Sequence, residues 1–206
     1  MKQLILTACS VVFLISCLLL SPKAESTPQP IPPTLIPMDR SIYKDGLSVE
    51  YQYILDELPY ASVYEIQFKI ADDMFHISGE EKVTYTNAED VSLNEVKFRL
   101  FGNILGGEMH VDEVNVDGDV IVPNYSLDDS LLTVPLKKPL RPNESVVLSM
   151  SFVLTVPQSV DLNYGVQAYF DDVLALAHAY PMIAVYDDEG WNAEVPPQSG
   201  DVRYAD

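Results

Sequence analysis

Three histidines, His76, His110 and His178, are the side chains best suited by type to ligate a metal or to move a proton. A zinc peptidase centre of the H-E-x-x-H kind needs two histidines four apart on one helix face, with a glutamate next to the first. No two of these three are so spaced. His76 and His110 fall inside strand-like runs, where a histidine is ordinarily a core or surface residue. A glycine-rich phosphate loop, a G-x-S-x-G elbow and a cysteine nucleophile in the folded part are absent as well. The acidic clusters Asp128-Asp129, Asp171-Asp172 and Asp187-Asp188-Glu189 could offer carboxylate oxygens to a hard cation such as calcium. Their spacing matches no calcium loop, and aspartate pairs suit tight turns between strands. The sequence therefore assigns no catalytic residue and no metal ligand within this chain.

Both cysteines, Cys9 and Cys17, lie in the first twenty residues, so the folded part can hold neither a disulfide nor a thiolate metal site. Lys2 precedes an uncharged apolar run over residues 4–20, the layout of an export signal or a short signal anchor. Within it, Leu14-Ile15-Ser16-Cys17 resembles the lipobox of bacterial lipoproteins, which implies lipidation of Cys17 and tethering on the outer face of the cell membrane. The alternative is an uncleaved apolar helix at the lower length limit for spanning a bilayer. With a lipobox upstream, the sequons at Asn124 and Asn143 read as chance matches.

The elements that would position any site follow from composition and period. Six prolines between residues 21 and 38 favour extended polyproline conformations, so this stretch is a spacer from the membrane. Leu47, Tyr51, Ile54, Leu55 and Leu58 recur at three-to-four spacing, which predicts one short amphipathic helix ended by Pro59. Beyond it the apolar period becomes two. Tyr64, Ile66, Phe68 and Ile70 alternate with polar residues as in a half-buried strand, and Asp72-Asp73 turns the chain into a second strand carrying Val83 and Tyr85. Gly79 stands where a bulge or bend would be tolerated. Further strands are predicted around Val96–Leu100, 109–116, 131–136, 145–156, 165–170 and 173–177, with turns at Asp117-Gly118, Pro142-Asn143 and Asp171-Asp172. Many short strands separated by turn signals indicate an all-β, antiparallel β-sandwich preceded by one short helix.

The chain has 31 acidic and 12 basic residues, a formal charge of −19, which repels nucleic-acid phosphates and excludes nucleic acid as a partner. Such acidity suits solubility outside the cell and could steer cationic peptides.

An ordered series of segments carries a resemblance. Tyr64-Glu65-Ile66 is followed by Gly79-Glu80-Glu81-Lys82-Val83-Thr84-Tyr85-Thr86-Asn87, by FRLFGN over residues 98–103, by the Asp117-Gly118 turn, by VPLKKPLRPNESVVLSMSF, and by AYPMIAVYDDEGWN over residues 179–192. In this order they resemble the N-terminal domain of aminopeptidase N-type zinc metallopeptidases. The resemblance implies a saddle-like β-sandwich over residues 39–206 that packs on a separate catalytic domain of the same polypeptide. That domain would supply the zinc, its ligands and the general base, and nothing in this chain matches it. The sandwich would frame the cleft for a peptide substrate. In relatives a glutamine before the Y-P pair reaches that cleft, and His178 occupies the corresponding place here. The family continues past residues 200–206 into further strands, so the expectation is a sandwich truncated at its C-terminal end. The alternative is a free-standing cell-surface module, for example a carbohydrate or protein adhesin, with the same fold.

Overall fold

The structure, a computed structural model, describes residues 40–58, 60–161 and 163–194. The apolar run with Cys17, the proline-rich spacer and residues 200–206 lie outside them. In chain order the described strands are β1 (Val63–Ile70), β2 (His76–Thr86), β3 (Leu93–Arg99), β4 (Glu108–Val116), β5 (Asp119–Ile121), β6 (Asn124–Ser126), β7 (Leu131–Leu140), β8 (Ser145–Thr155), β9 (Gln167–Phe170), β10 (Val173–Leu176), β11 (Met182–Ile183), β12 (Tyr186–Asp187) and β13 (Gly190–Trp191). All the pairings are antiparallel. One sheet runs β1-β2-β8-β4-β5 and a second runs β11-β3-β7-β6, with two small hairpins, β9-β10 and β12-β13.

The spine of the first sheet is the pairing of β2 with β8, in unbroken register from His76↔Thr155 to Thr86↔Ser145. Period two decides which side chains meet the core. Ile77, Val83 and Tyr85 on β2 and Val146, Leu148, Met150, Phe152 and Leu154 on β8 face inward. Val96 and Phe98 on β3 and Leu132 and Val134 on β7 meet them from the other sheet. Full burial of each such side chain contributes roughly 1.5–3 kcal/mol, and the two inner faces together form one core.

The predicted hairpins stand where the turn residues put them. Asp117 (φ 50°) and Gly118 (φ 89°) take the left-handed pair of conformations that a tight β4–β5 hairpin needs. Asp171 (φ 53°) and Asp172 (φ 60°) do the same between β9 and β10. Aspartate tolerates this region because its short side chain can bond locally.

The short helix expected before the sandwich is present, and two other expectations need correction. The helix predicted before the sandwich is a short α-helix, α1 (Ile54–Glu57), preceded by 3-10 turns at Ser41–Gly46 and Val49–Tyr51, and none of these buries a residue. Leu47, Ile54 and Leu55 are half-buried, while Tyr51 and Leu58 are exposed. The stretch is held instead by Arg40, whose guanidinium donates to the carbonyls of Leu55, Leu58 and Ala61, the last groups left open as the helix ends. Gly79 marks no bulge: it sits in regular register between Phe68 and Phe152, and the irregularity falls on β4 between Val111 and Glu113. Finally, Phe68 and Ile70 at the end of β1 remain exposed, because β1 is an edge strand that outruns the opposing sheet.

Candidate functional site

The side chains singled out by type do not converge. His76 opens β2 with Nδ1 2.7 Å from an Asp73 carboxylate oxygen, and that bond is the main reason Asp73 is held below the usual carboxylate range. His110 lies on β4, its ring stacked on Tyr125 at 5.6 Å. Register separates the two across β8, where His76 pairs with Thr155 and His110's partner is Val153. Among the described residues, no group of three or more His, Cys, Asp or Glu side chains converges on a point that could hold a metal.

His178 sits apart from both, in the turn after β10, with a left-handed backbone (φ 56°). Its ring lies 4.7 Å from that of Phe101, and its carbonyl takes a long contact from Gln167 Nε2 at 3.4 Å. One residue earlier, the Ala177 N–H donates to the Val166 carbonyl, which fastens the turn to the start of the β9–β10 hairpin. Around that hairpin Tyr164, Val166, Phe170 and Val173 are exposed. The Ala177 bond sets His178 one residue from the contact with the exposed Val166.

Several buried or half-buried polar residues are spent on backbone. Asn87, fully buried, donates to the carbonyls of Val91 and Leu140 at 2.8 and 2.9 Å and accepts the Glu89 N–H at 3.0 Å. Asn103 donates to Met109 and Asp129 carbonyls and accepts the Met109 N–H at 2.6 Å. Asn163 holds Leu105 and Gln167 carbonyls in the same manner. Arg99 donates through Nη2 to the carbonyls of Asn192 and Glu194 at 2.9 and 2.7 Å. An amide has donors and acceptor in one plane, so each asparagine can satisfy a loop's backbone from both sides. These clamps order connections and perform no chemistry.

Sequence reasoning missed two features. The first is a groove of about 700 Å³ on the outer face of the five-stranded sheet. Its floor follows from register: Glu65, Lys82, Ser149 and Asn115 form one row across β1, β2, β8 and β4, and Gln67, Glu80, Ser151 and Glu113 the next. Lys82 is paired with Glu65 at 2.8 Å. Serines in the central strand leave the floor low, and the rim offers carboxylates and amides able to hydrogen-bond a polar ligand. The signal was present as the small outward residues alternating along β8.

The second is Glu81. The alternation that buries Ile77 and Val83 also carries Glu81 inward, to 2 % exposure, with neither carboxylate oxygen hydrogen-bonded. Burial pushes its carboxyl up to about 8, into the range where a charged form is strongly disfavoured at neutral pH.

No protein-family model and no curated protein matches this chain. Among solved structures it is similar to an M1 zinc metallopeptidase from Deinococcus radiodurans, with 21% identity and a TM-score of 0.38 over 47% of this chain and 20% of that one. A mutant of that enzyme bound to a Tyr-Ser-Ala substrate gives the same values. A two-domain M1 zinc metallopeptidase bound to L-tryptophan matches with 21% identity and a TM-score of 0.39, over 48% of this chain and 21% of that one. The match thus spans about a fifth of those chains.

Proposed function

We propose that this β-sandwich is the non-catalytic N-terminal domain of an exported zinc metallo-aminopeptidase, framing the substrate cleft and supporting a catalytic domain that carries the zinc. The observation that carries the reading is where the motif residues fall. Asn87 and Asn103, and Arg99 beside it, come from the segments that resemble the family, and each clamps backbone inside the sandwich. Residues committed to backbone in this way serve a scaffold and not a reaction centre.

The exposed apolar patch at Tyr164, Val166, Phe170 and Val173 supports the position of the catalytic domain, since such patches serve association. His178 lies one residue from the contact with Val166 of that patch, and in this reading its imidazole donates a hydrogen bond to a peptide carbonyl in the cleft. Lipidated Cys17 and the proline-rich spacer would hold the enzyme on the outer face of the membrane. Cys17→Ser tests the anchor: release of the protein, or an unprocessed precursor, supports it, and normal processing with retention overturns it.

The reading of the whole is tested on the gene. An open frame past codon 206 that encodes H-E-x-x-H supports it, whereas a stop codon there overturns it. Stoichiometric zinc binding or metal-dependent peptide hydrolysis by the 206-residue chain would also overturn it.

The outer groove favours a second reading, a free-standing surface module that binds a polar ligand along the β1-β2-β8-β4 face. Loss of a ligand on Ser149→Leu or Ser151→Leu, with the fold intact, would identify it.

A further inference from the structure

Residues 179–194 close one side of the sandwich, tied to β3 by the Ala184 N–H on the Lys97 carbonyl and by the Arg99 guanidinium on the Asn192 and Glu194 carbonyls. β11 adds only the pairs Met182↔Arg99 and Ile183↔Phe98 to the edge of β3. The Tyr64 hydroxyl, from the opposite sheet, accepts the Ile183 N–H at 3.0 Å. The Tyr64 and Tyr180 rings meet edge to face at 5.6 Å. Trp191 then packs on Tyr186 at 5.2 Å and on Tyr85 at 6.1 Å. Within electrostatic reach of Tyr180, at the start of this strap, lies Glu81, buried and unpartnered, in the inner row between Ile66 and Met150.

The groups facing Glu81 offer it no counter-charge. From β1 the titratable neighbour is Tyr64, and from the strap it is Tyr180. Tyr85 stands on its own strand, within electrostatic reach of Tyr64. β8 presents Leu148, Met150 and Phe152, all apolar. The inward residues of β3, Val96 and Phe98, are apolar too. Arg99 of β3 is turned to the carbonyls of Asn192 and Glu194. Burial alone sets the behaviour of the carboxyl.

We propose that Glu81 makes the strap of residues 179–194 a pH-operated element, closed while the carboxyl is neutral and released when it ionises. An unpaired carboxylate in an apolar interior is strongly disfavoured, and the least costly way to hydrate it is to lift what covers it. The covering element here is the strap, held by two strand pairs, the Tyr64 hydroxyl, the Ala184 N–H on the Lys97 carbonyl and the Arg99 guanidinium, while the other neighbours belong to the longer β1–β2, β2–β8 and β3–β7 ladders. The rest of the sandwich stays folded as the strap opens, because weakly held edges open with less free energy than core ladders. This inference is independent of the proposed parent enzyme.

Trp191, the chain's one tryptophan, reports the strap directly. The purified full chain is titrated from pH 6 to pH 9.5, following Trp191 emission together with hydrogen exchange of the Ile183 and Leu148 amides. The ratio of the two exchange rates cancels the intrinsic pH effect. The expected result is a one-proton red shift of the emission with its midpoint at or below about 8, because opening restores the carboxyl's ordinary acidity. By linkage, Ile183 loses roughly 100-fold protection relative to Leu148 between pH 6 and pH 9. Glu81→Gln should abolish both changes, keeping Trp191 half-buried throughout. A flat emission curve with constant relative protection in the native chain overturns the proposal, even if the variant fails to fold. So does the same transition in a folded Glu81→Gln chain.

Discussion

The Tyr64 hydroxyl lies 3.0 Å from the Ile183 backbone nitrogen, so a side chain on the edge strand of one sheet completes the hydrogen bonding of the edge strand of the other. Burial raises the Tyr64 phenol well above its ordinary range, so the hydroxyl stays neutral at any physiological pH. Tyr64→Phe removes the acceptor and leaves the Ile183 N–H without its partner under the strap. The expected loss is about 1–2 kcal/mol, the cost of a partly buried donor left unmade. Urea unfolding measures it, and faster exchange of the Ile183 amide locates it.

Gly79 faces the Phe152 ring so closely that a Cβ there would lie 2.2 Å from the ring's Cζ. Phe152 cannot yield easily, since it is buried and also meets Phe68 edge to face at 6.0 Å. Gly79→Ala should therefore cost about 1–3 kcal/mol through overpacking. A thermal melt comparing Gly79→Ala with Gly46→Ala, where a Cβ meets nothing within 4 Å, separates packing from the general effect of losing a glycine.

Asn87 joins two backbone groups of the loop between β2 and β3, the Val91 carbonyl and the Glu89 N–H, to a third, the carbonyl of Leu140 at the end of β7. Asn87→Ala strands them and should cost about 2–3 kcal/mol, measured by chemical denaturation. Asn87→Asp keeps the acceptor for the Glu89 N–H but loses both donors, so it should not rescue stability. Recovery by aspartate would show that the two donated bonds contribute little.

These cases also show what the sequence could and could not disclose. Period two and the Asp-Gly and Asp-Asp turns were legible because they are local: strand alternation and left-handed aspartates are written in adjacent residues. The spacing of Leu47, Tyr51, Ile54, Leu55 and Leu58 discloses the short helix but not its length: α1 keeps only Ile54–Glu57, because none of its residues is fully buried and most helical stability comes from a packed face. Gly79 was read as a bend because its meaning lies in Phe152, which is 73 positions away in sequence (152 minus 79). The groove escaped notice for the same reason, since Ser149, Lys82 and Asn115 become neighbours only through register. Glu81 was visible as a charge on the inward period of β2. Its lack of a partner was not visible, because that depends on every element packed over it.

Glu81 should also set the pH dependence of global stability. Its carboxyl ionises near the ordinary value of 4.5 when unfolded and only at about 8 when folded. Below pH 4.5 the group is protonated in both states and carries no penalty. As pH rises from there, the unfolded chain gives up its proton first, so stability falls by at most about 1.4 kcal/mol per unit until pH passes 8. The total is of the order of a few kcal/mol. Other shifted groups act outside this window. Asp73, lowered by its bond to His76, favours the fold above its ordinary range and loses that effect only in acid. Tyr64 and Tyr85, both raised by burial, disfavour the fold only once the unfolded phenols ionise, near pH 10. Urea unfolding at pH 5 and pH 8.5 should therefore show a marked decline for the native chain and a much smaller one for Glu81→Gln. The variant, neutral throughout, should be the more stable chain at pH 8.5. Equal declines in both chains would place the pH sensitivity elsewhere and show that the Glu81 carboxylate is accommodated in the fold.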